Sequence, residues 1–402
     1  MRRNPSLALS VLVAAVLSAP AAAPGAEAGG AIHGTVTTIG GEAFTGPIRW
    51  DKNENFWDDV LNARKVRDIE APAHRRTVNF FGLRVSRPGG PRRVHSELAV
   101  PFGHIRAIEP LHRDRIEVAF KGGKVLEVRD SADLGRDMRG IVVEDSVHGS
   151  IEVEWVDVAR IEFRAGDQAS RDAERLYGTV TTRGARFTGF IVWDRDESLT
   201  GDILDGDGDG RGYKIPFHRI QAIRKRNRRS SEVVLTGGRS VILSGSNDVD
   251  DDNRGILITI PGVGSVDVDW NEFREAAFFE APESLPYDAF DGGAPLAGTV
   301  LTTDGREFEG EIVWDNDEEY TWEPLDGEAV GVSFAILFEN IASIRRYSKR
   351  SADVELISGE VYRLEDSNDV NDENKGIVVR LSDGERVTLG WDDFESVSFS
   401  RR

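Results

Sequence analysis

The chain has 402 residues, no cysteine, and a formal net charge of −20 from 50 Lys and Arg against 70 Asp and Glu. The absence of cysteine excludes disulfides, thiolate metal sites and cysteine nucleophiles. The negative charge disfavours nucleic acid and anionic membrane surfaces as partners, and it suits solubility, a bound cation or a basic partner. The length predicts two to four domains.

The first residues have the pattern of a secretory signal peptide. Arg2 and Arg3 precede an apolar run at residues 7–17, and Ala26-Glu27-Ala28 offers small residues at a cleavage position. The run is too short to cross a bilayer, which needs about 20 apolar residues. We therefore predict a signal peptide at residues 1–28, export to the periplasm or the extracellular space, and no membrane insertion after cleavage.

Three later segments share one set of landmarks. Each opens with Gly-Thr-Val, continues to a Trp-Asp pair, and then has a Phe and a second Trp. The interval from this Phe to the second Trp is 53 positions in every segment, namely Phe102 to Trp155, Phe217 to Trp270 and Phe338 to Trp391. The repeat predicts three tandem modules, at residues 31–164, 176–279 and 296–400, which we call the first, second and third segments.

The first segment differs by an insertion. The interval from the Trp-Asp tryptophan to the Phe is 24 positions in the second and third segments and 52 in the first. The extra residues fall at about 58–98. Between residues 64 and 93 nine basic residues stand against two acidic ones, and we call this stretch the basic arm.

Two hypotheses account for the basic arm. Its β-branched run and Pro-Gly-Gly-Pro turn indicate an extended hairpin. The arm either binds an anionic envelope polymer or an acidic protein partner, or docks onto the acidic segments of its own chain. The candidate contact residues are Arg75, Arg76, Phe80, Phe81, Arg92 and Arg93.

The segments have the pattern of strands throughout. Residues 186–193 and 265–270 alternate apolar and polar side chains, and residues 232–243 form two β-branched runs around a Gly-Gly turn. At both landmarks apolar residues recur every third position, which suggests that each module has two related halves and predicts a one-turn 3₁₀ segment before a strand. The fold class is therefore all-β.

One stretch also carries a resemblance to a known architecture. Residues 302–315, with the sequence TTDGREFEGEIVWD, are similar to the hairpin in which Sm proteins bend a strand at glycine. The resemblance implies that each half-module is a small SH3-like or Sm-like barrel. The nucleotide-binding motif of that family is absent, so RNA binding is not implied. A two-sheet β-sandwich of about 100 residues per module is the alternative fold.

An acidic stretch in the second half of each module is the clearest candidate site. Alternating oxygen-bearing side chains in a tight loop suit a hard cation such as Ca²⁺. The residues concerned are Asp248, Asp250 and Asp252 in the second segment, and Asp369, Asn371 and Glu373 in the third. The alternatives are simple turn geometry, which Asp, Asn and Gly favour, and a contact between modules.

Paired carboxylates also follow each first tryptophan. They are Asp51 and Glu54, Asp194 and Glu197, and Asp315 and Glu318. Such pairs occur in glycosidases, but three equivalent copies argue against an active site, and we predict no catalytic residue.

We therefore expect a non-enzymatic, exported binding or scaffold protein. The alternatives are a calcium-stabilised β-repeat protein and a hydrolase that acts on an envelope polysaccharide.

Overall fold

The structure is a computed structural model that describes residues 30–51, 53–70, 75–80, 83–88, 93–112, 114–131, 133–166 and 175–400. The predicted signal peptide at residues 1–28 lies outside the described residues. Every regular element in the described part is a strand or a single turn of 3₁₀ helix, which confirms the all-β class.

The first segment contains twelve strands and two 3₁₀ turns in its described part. They are β1 (His33–Thr38), β2 (Ala43–Trp50), β3 (Val60–Glu70), β4 (Arg75–Phe80), β5 (Leu83–Pro88), β6 (Arg93–Pro101), η1 (Phe102–His104), β7 (Ile105–His112), β8 (Arg115–Phe120), β9 (Val125–Arg129), β10 (Ile141–Asp145), β11 (Gly149–Val153), η2 (Trp155–Asp157) and β12 (Val158–Phe163). Ten of these strands form one sheet in the order β11-β10-β2-β1-β12-β7-β8-β9-β3-β6, and β4 pairs with β5 separately.

The second and third segments share one sheet of twenty strands. The second contributes β13 (Tyr177–Thr182), β14 (Arg186–Val192), β15 (Ile203–Gly208), β16 (Arg211–Pro216), η3 (Phe217–Arg219), β17 (Ile220–Asn227), β18 (Ser230–Leu235), β19 (Ser240–Ser244), β20 (Ile256–Ile260), β21 (Gly264–Val268) and β22 (Phe273–Phe279). After η4 (Tyr287–Ala289), the third contributes β23 (Ala297–Thr302), β24 (Glu307–Val313), β25 (Pro324–Ala329), β26 (Val332–Leu337), η5 (Phe338–Asn340), β27 (Ile341–Arg346), β28 (Ser351–Leu356), β29 (Val361–Glu365), η6 (Asn368–Val370), β30 (Ile377–Arg380), β31 (Arg386–Leu389) and β32 (Phe394–Phe399).

The opening strand of each segment is paired in the same way. β1, β13 and β23 each lie between the following strand and the last strand of their segment, in antiparallel register. Each opening glycine lies where two strands approach closely: a Cβ atom on Gly178 would lie 2.2 Å from the carbonyl oxygen of Ala277. The Gly-Thr-Val landmark thus marks a position where a side chain would prevent the pairing.

The predicted 3₁₀ turns are present at the Phe landmark of all three segments, as η1, η3 and η5, and at Trp155, as η2. At Trp270 and Trp391 a hydrogen-bonded turn takes this place. In the second segment it is closed by the Phe273 amide, which donates to the Asp269 carbonyl at 3.1 Å. Both forms turn the chain once before the closing strand.

The apolar interior does not follow the boundaries that the sequence suggests. One hydrophobic core spans the second and third segments. The core of the first segment contains Tyr287 and Phe290 from the connection between the other two, and Trp322 from the third segment. The Trp322 ring stacks on Phe120 at 4.9 Å with an interplanar angle of 7°. The first segment therefore completes its interior with side chains that lie more than a hundred residues away in sequence.

We expect Trp322→Ala to lower the free energy of unfolding of residues 29–402 by about 3–5 kcal/mol, because it removes a fully buried indole and leaves a cavity. Urea denaturation followed by tryptophan fluorescence measures the loss. Ile39→Ala is the control, since Ile39 is 71% exposed and its loss should stay within about 0.5 kcal/mol. Equal effects of the two substitutions would contradict the shared interior.

Candidate carboxylate centres

The first tryptophan of each segment joins the two halves of that segment. The Trp193 indole Nε1 donates to the main-chain oxygen of Asp248 at 3.0 Å, and Trp314 makes the same bond to Asp369 at 3.0 Å. In the first segment, Trp50 donates to the oxygen of Asp133 at 2.7 Å. All three indoles are fully buried. This bond brings the acidic stretch of the second half against the Trp-Asp turn of the first.

The aspartate after each tryptophan occupies a tight turn. Asp194 has φ of 49° and Asp315 has φ of 46°, in the left-handed region that Asp tolerates better than most residues. Both carboxylates are fully buried. Asp194 accepts from the main-chain amide of Arg254 and from its guanidinium Nε, the latter at 2.9 Å. Asp315 accepts from the main-chain amide and Nζ of Lys375. Each buried aspartate is thus neutralised by one basic residue of its own segment.

A glutamate three residues later closes the turn. The main-chain amide of Trp193 donates to the Glu197 carbonyl at 2.7 Å, and the Glu197 amide donates back at 3.0 Å. The same exchange joins Trp314 and Glu318 at 2.8 and 2.9 Å. The Oε2 atoms of both glutamates are buried and accept no hydrogen bond from any described residue. The turn therefore holds a buried carboxylate oxygen that has no donor in the described part of the chain.

Two carboxylate triads result from this arrangement. One comprises Asp194, Glu197 and Asp248, and the other comprises Asp315, Glu318 and Asp369. In each triad, one oxygen from every carboxylate lies within 4.8 Å of the others. Three carboxylates at this separation need a shared proton or a bound cation to offset their mutual repulsion.

The pKa values of the triads follow from burial and like charge. Burial, and then the charges of Asp248, Asp196 and Asp194, raise the pKa of Glu197 to about 9. Burial and then Asp205 and Asp194 raise the pKa of Asp248 to about 6, against the lowering effect of its hydrogen bond from the Asp205 amide. In the third segment, burial and the neighbouring aspartates raise the pKa values of Glu318 and Asp369 well above their ordinary range. The raised pKa values favour the protonated form of both glutamates when no cation is bound.

The first segment carries a related group with one difference. Burial, and then Asp133, Asp59 and Asp51, raise the pKa of Glu54 to about 9. Where the other segments have Asp205 and Asp326, the first has Asn62, whose Nδ2 donates to Asp133 Oδ2 at 2.7 Å. An amide thus replaces a carboxylate beside this group.

The structure separates the six residues predicted to bind Ca²⁺. Asp248 and Asp369 lie in the triads, but the other four lie outside them. Asp250 accepts the amides of Gly245 at 3.2 Å and Asp252 at 3.1 Å, while Asp252 itself is exposed. Asn371 accepts the amide of Glu373 at 2.7 Å, and the Glu373 side chain is exposed. These four residues have the contacts expected of turns.

Asp194, Glu197, Asp315 and Glu318 belong to the cation candidate, although their spacing after each tryptophan indicates only two separate carboxylate pairs. One signal in the sequence joins the two sets. The interval from Asp194 to Asp248 and from Asp315 to Asp369 is 54 positions in both segments.

The basic arm contains the paired strands β4 and β5, in the register Arg75↔Pro88 to Phe80↔Leu83. Arg76 lies in β4 and Arg93 begins β6, whereas Phe81 and Arg92 lie outside the described residues. The base of the arm contacts the third segment: Lys65 Nζ lies 2.9 Å from Asp317 Oδ1 and also binds Glu323. Burial alone would lower the pKa of Lys65, but Glu323 and Asp317 raise it above its usual range.

Comparison with family models, with curated proteins and with solved structures finds no match to the chain. None of the helices in the described part of the chain has the length and hydropathy needed to span a membrane.

We expect the free energy of unfolding of residues 29–402 to fall as the pH rises from about 5 to 9 in buffer with a chelator. The folded pKa of Glu197, about 9, lies above the ordinary value of 4.5, so the folded state holds a proton that the unfolded state releases in this range. Glu197→Gln mimics the neutral form and should reduce the slope by up to about 1.4 kcal/mol per pH unit, the limit for one proton.

Urea denaturation at five pH values measures this slope. Glu280→Gln, at an exposed position, is the matched control and should leave the slope unchanged. A slope that Glu197→Gln does not alter would show that this carboxyl is ionised in the folded protein.

Proposed function

We propose that the chain is a non-enzymatic, exported protein of the bacterial envelope or extracellular space that binds or scaffolds through three tandem β modules. The observation that carries this proposal is that direct contacts join every pair of segments. The corresponding pairings of β1, β13 and β23 support the division into modules, and the SH3-like or Sm-like architecture of their halves is part of the proposal.

Arg175, the residue before the second segment, contacts the first segment, and Ser198 of the second segment accepts from Asn55 Nδ2 at 3.1 Å. Arg175 makes the more extensive contact. Its guanidinium, almost fully buried, lies 2.7 Å from Asp58 and 2.9 Å from Asp59, and it also lies over the rings of Phe56 and Phe190. A planar cation that pairs with two carboxylates and stacks on two rings fixes the relative orientation of the first and second segments. Arg139 adds an exposed pair with Asp196 at 2.8 Å.

The third segment contacts both others. β21 pairs with β26 across the boundary between the second and third segments. On the first segment, Trp322 enters the core and Lys65 pairs with Asp317 and Glu323. The connection that precedes the third segment adds the Tyr287 hydroxyl, which donates to the Ile105 carbonyl at 2.8 Å. Three modules that all touch one another present a single body to a partner, which suits a scaffold.

The burial of the carboxylates that raised the hydrolase alternative argues against a catalytic role. Asp194 and Asp315 have no exposed surface, and their oxygens accept from residues of their own segment. A carboxylate that acts on a polysaccharide must reach the glycosidic bond. Their burial favours the non-enzymatic proposal.

The basic arm is the surface that we propose for an anionic polymer or an acidic partner. We expect residues 29–402 to bind dextran sulfate and sonicated peptidoglycan in biolayer interferometry at 50 mM salt. Replacing Arg75, Arg76, Arg92 and Arg93 by Ser should weaken binding at least tenfold, because ionic contacts to a polyanion dominate at low salt.

The control replaces four exposed arginines elsewhere, Arg186, Arg211, Arg239 and Arg350, by Ser. This control has the same net charge and should change the affinity less than twofold. Equal losses in both variants would contradict a role for the arm, and release of soluble fragments from peptidoglycan would favour the hydrolase instead.

A second candidate function is stabilisation of the modules by a cation. Two observations favour it. The buried Oε2 atoms of Glu197 and Glu318 accept no hydrogen bond from the described residues, and one carboxylate oxygen of each glutamate lies within 4.8 Å of oxygens of two aspartates. Hard cations such as Ca²⁺ take carboxylate oxygens as ligands. The proposed ligands are the two triads rather than the alternating residues of the acidic stretch.

We expect 5 mM Ca²⁺ to raise the melting temperature of residues 29–402 above that in EDTA, because a ligand of the folded state alone stabilises it. Tb³⁺ should show emission sensitised by the adjacent Trp193 and Trp314. Asp248→Asn with Asp369→Asn should abolish both effects, while the control Asp252→Asn with Glu373→Gln should retain them. An unchanged melting temperature together with absent Tb³⁺ emission would show that protons, not cations, occupy the triads.

A further inference from the structure

The contact between the second and third segments is an antiparallel strand pair with a defined register. β21 and β26 pair as Gly264↔Ile336, Ser265↔Ala335, Val266↔Phe334 and Asp267↔Ser333. Val266 and Phe334 are buried there, and the Phe334 ring meets Phe187 edge-on at 5.8 Å. The pair continues with the Leu337 amide, which donates to the Val263 carbonyl at 3.0 Å.

Glycine at position 264 is a requirement of this contact. Its φ is +141°, and a Cβ atom built there would lie 2.1 Å from the carbonyl oxygen of Ala335. Any side chain would therefore push the two strands apart. A strand that is to pair in this way must begin with glycine.

β11 is the equivalent of β21 in the first segment, and it has that glycine. It begins Gly149-Ser150-Ile151, against Gly264-Ser265-Val266 in β21. Among the described strands β11 pairs with β10 alone, and nothing lies within 4 Å of a Cβ built on Gly149. Val147, in the preceding turn, is 81% exposed. Within the described part of the chain, β11 thus presents an unpaired edge with the glycine that β21 has, and both glycines have positive φ, +77° at Gly149 and +141° at Gly264.

β31 is the equivalent of β21 in the third segment, and it lacks the required features. Glu385 occupies the place of Gly264, and Arg386 follows it. If β31 paired in the same register with β16, the Glu385 side chain would clash as described. Arg386 would then lie opposite Lys214, which is also basic. This edge is therefore protected against pairing.

β16 is the equivalent of β26 in the second segment. Tyr213 stands where Phe334 stands, and Ile215 where Ile336 stands. Among the described strands the residue-by-residue register of β16 is with β15, and the chain continues from β16 through η3 into β17. Lys214 is exposed, and Pro216 replaces Leu337, so the pairing would end one residue earlier because proline has no amide proton.

We propose that a second copy of this chain is the partner of these edges: β11 of one copy pairs antiparallel with β16 of another. The register is that of the internal contact, namely Gly149↔Ile215, Ser150↔Lys214, Ile151↔Tyr213 and Glu152↔Gly212. Glu152 and Lys214 are then diagonal neighbours on one face, where opposite charges attract. Because the two edges differ, the contact is heterologous and joins copies head to tail.

Sedimentation velocity and native mass spectrometry of residues 29–402 between 1 and 200 µM test the proposal. We expect dimers and longer species that increase with concentration. Gly149→Glu, which introduces the residue found at position 385, and Lys214→Glu should each weaken association at least tenfold. Arg239→Glu, at an exposed turn outside both edges, is the control for the charge change and should associate as the unmodified chain does.

Mixing the two variants gives the sharpest result. Gly149→Glu retains a free β16 and Lys214→Glu retains a free β11, so an equimolar mixture should form a one-to-one dimer and nothing larger. Lys214→Glu lies at an exposed position without backbone strain, which keeps the test valid if Gly149→Glu lowers stability. A monomer at 200 µM, or Lys214→Glu that associates as well as the unmodified chain, would overturn the proposal.

Discussion

The hydrogen bond from a buried indole to the main chain of the acidic stretch is the constraint on which each segment depends. Trp193 reaches Asp248, and Trp314 reaches Asp369, across 55 residues of chain. The bond fixes where the second half of the segment lies against the first, and the same contact forces three carboxylates together. A buried polar network of this kind is stable only when every member is satisfied. The fold therefore requires that the charge of each triad be offset. Arg254 pairs with Asp194 and Lys375 pairs with Asp315, and a proton or a cation is needed at the glutamate.

Much of the fold was accessible from the sequence because its signals are local and repeated. Alternation, the Gly-Gly turn at residues 237–238 and the apolar triplets predict strands, hairpins and one-turn segments, and the structure has them. The carboxylate triads were only partly accessible. Their members lie in two stretches that each have the composition of a turn, and only the constant interval between Asp194 and Asp248 or between Asp315 and Asp369 connects them.

The contacts of the first segment with Trp322 and Tyr287 could not be predicted, since they depend on residues that occur once. Trp322 has Gly201 at the corresponding place in the second segment, and Tyr287 lies in a Pro-rich stretch that has the composition of a linker. A comparison of the three segments detects only residues that recur, so it gives no weight to residues found in one segment. In the folded chain, Trp322 and Tyr287 differ from the corresponding residues of the other segments because their surroundings differ. Each enters the first segment, where the insertion has altered the surface.

The placement of Trp322 also limits how this protein can be taken apart. A fragment cut at residue 166 would leave Phe120 and its neighbours facing water where an indole had covered them, and Lys65 would lose both of its carboxylate partners. The complementary fragment would expose the Trp322 indole and leave the buried Glu323 without the Lys65 ammonium group that pairs with it. During synthesis the first segment waits for more than 150 further residues before its interior is complete. Completion of the first core therefore depends on the synthesis of the third segment.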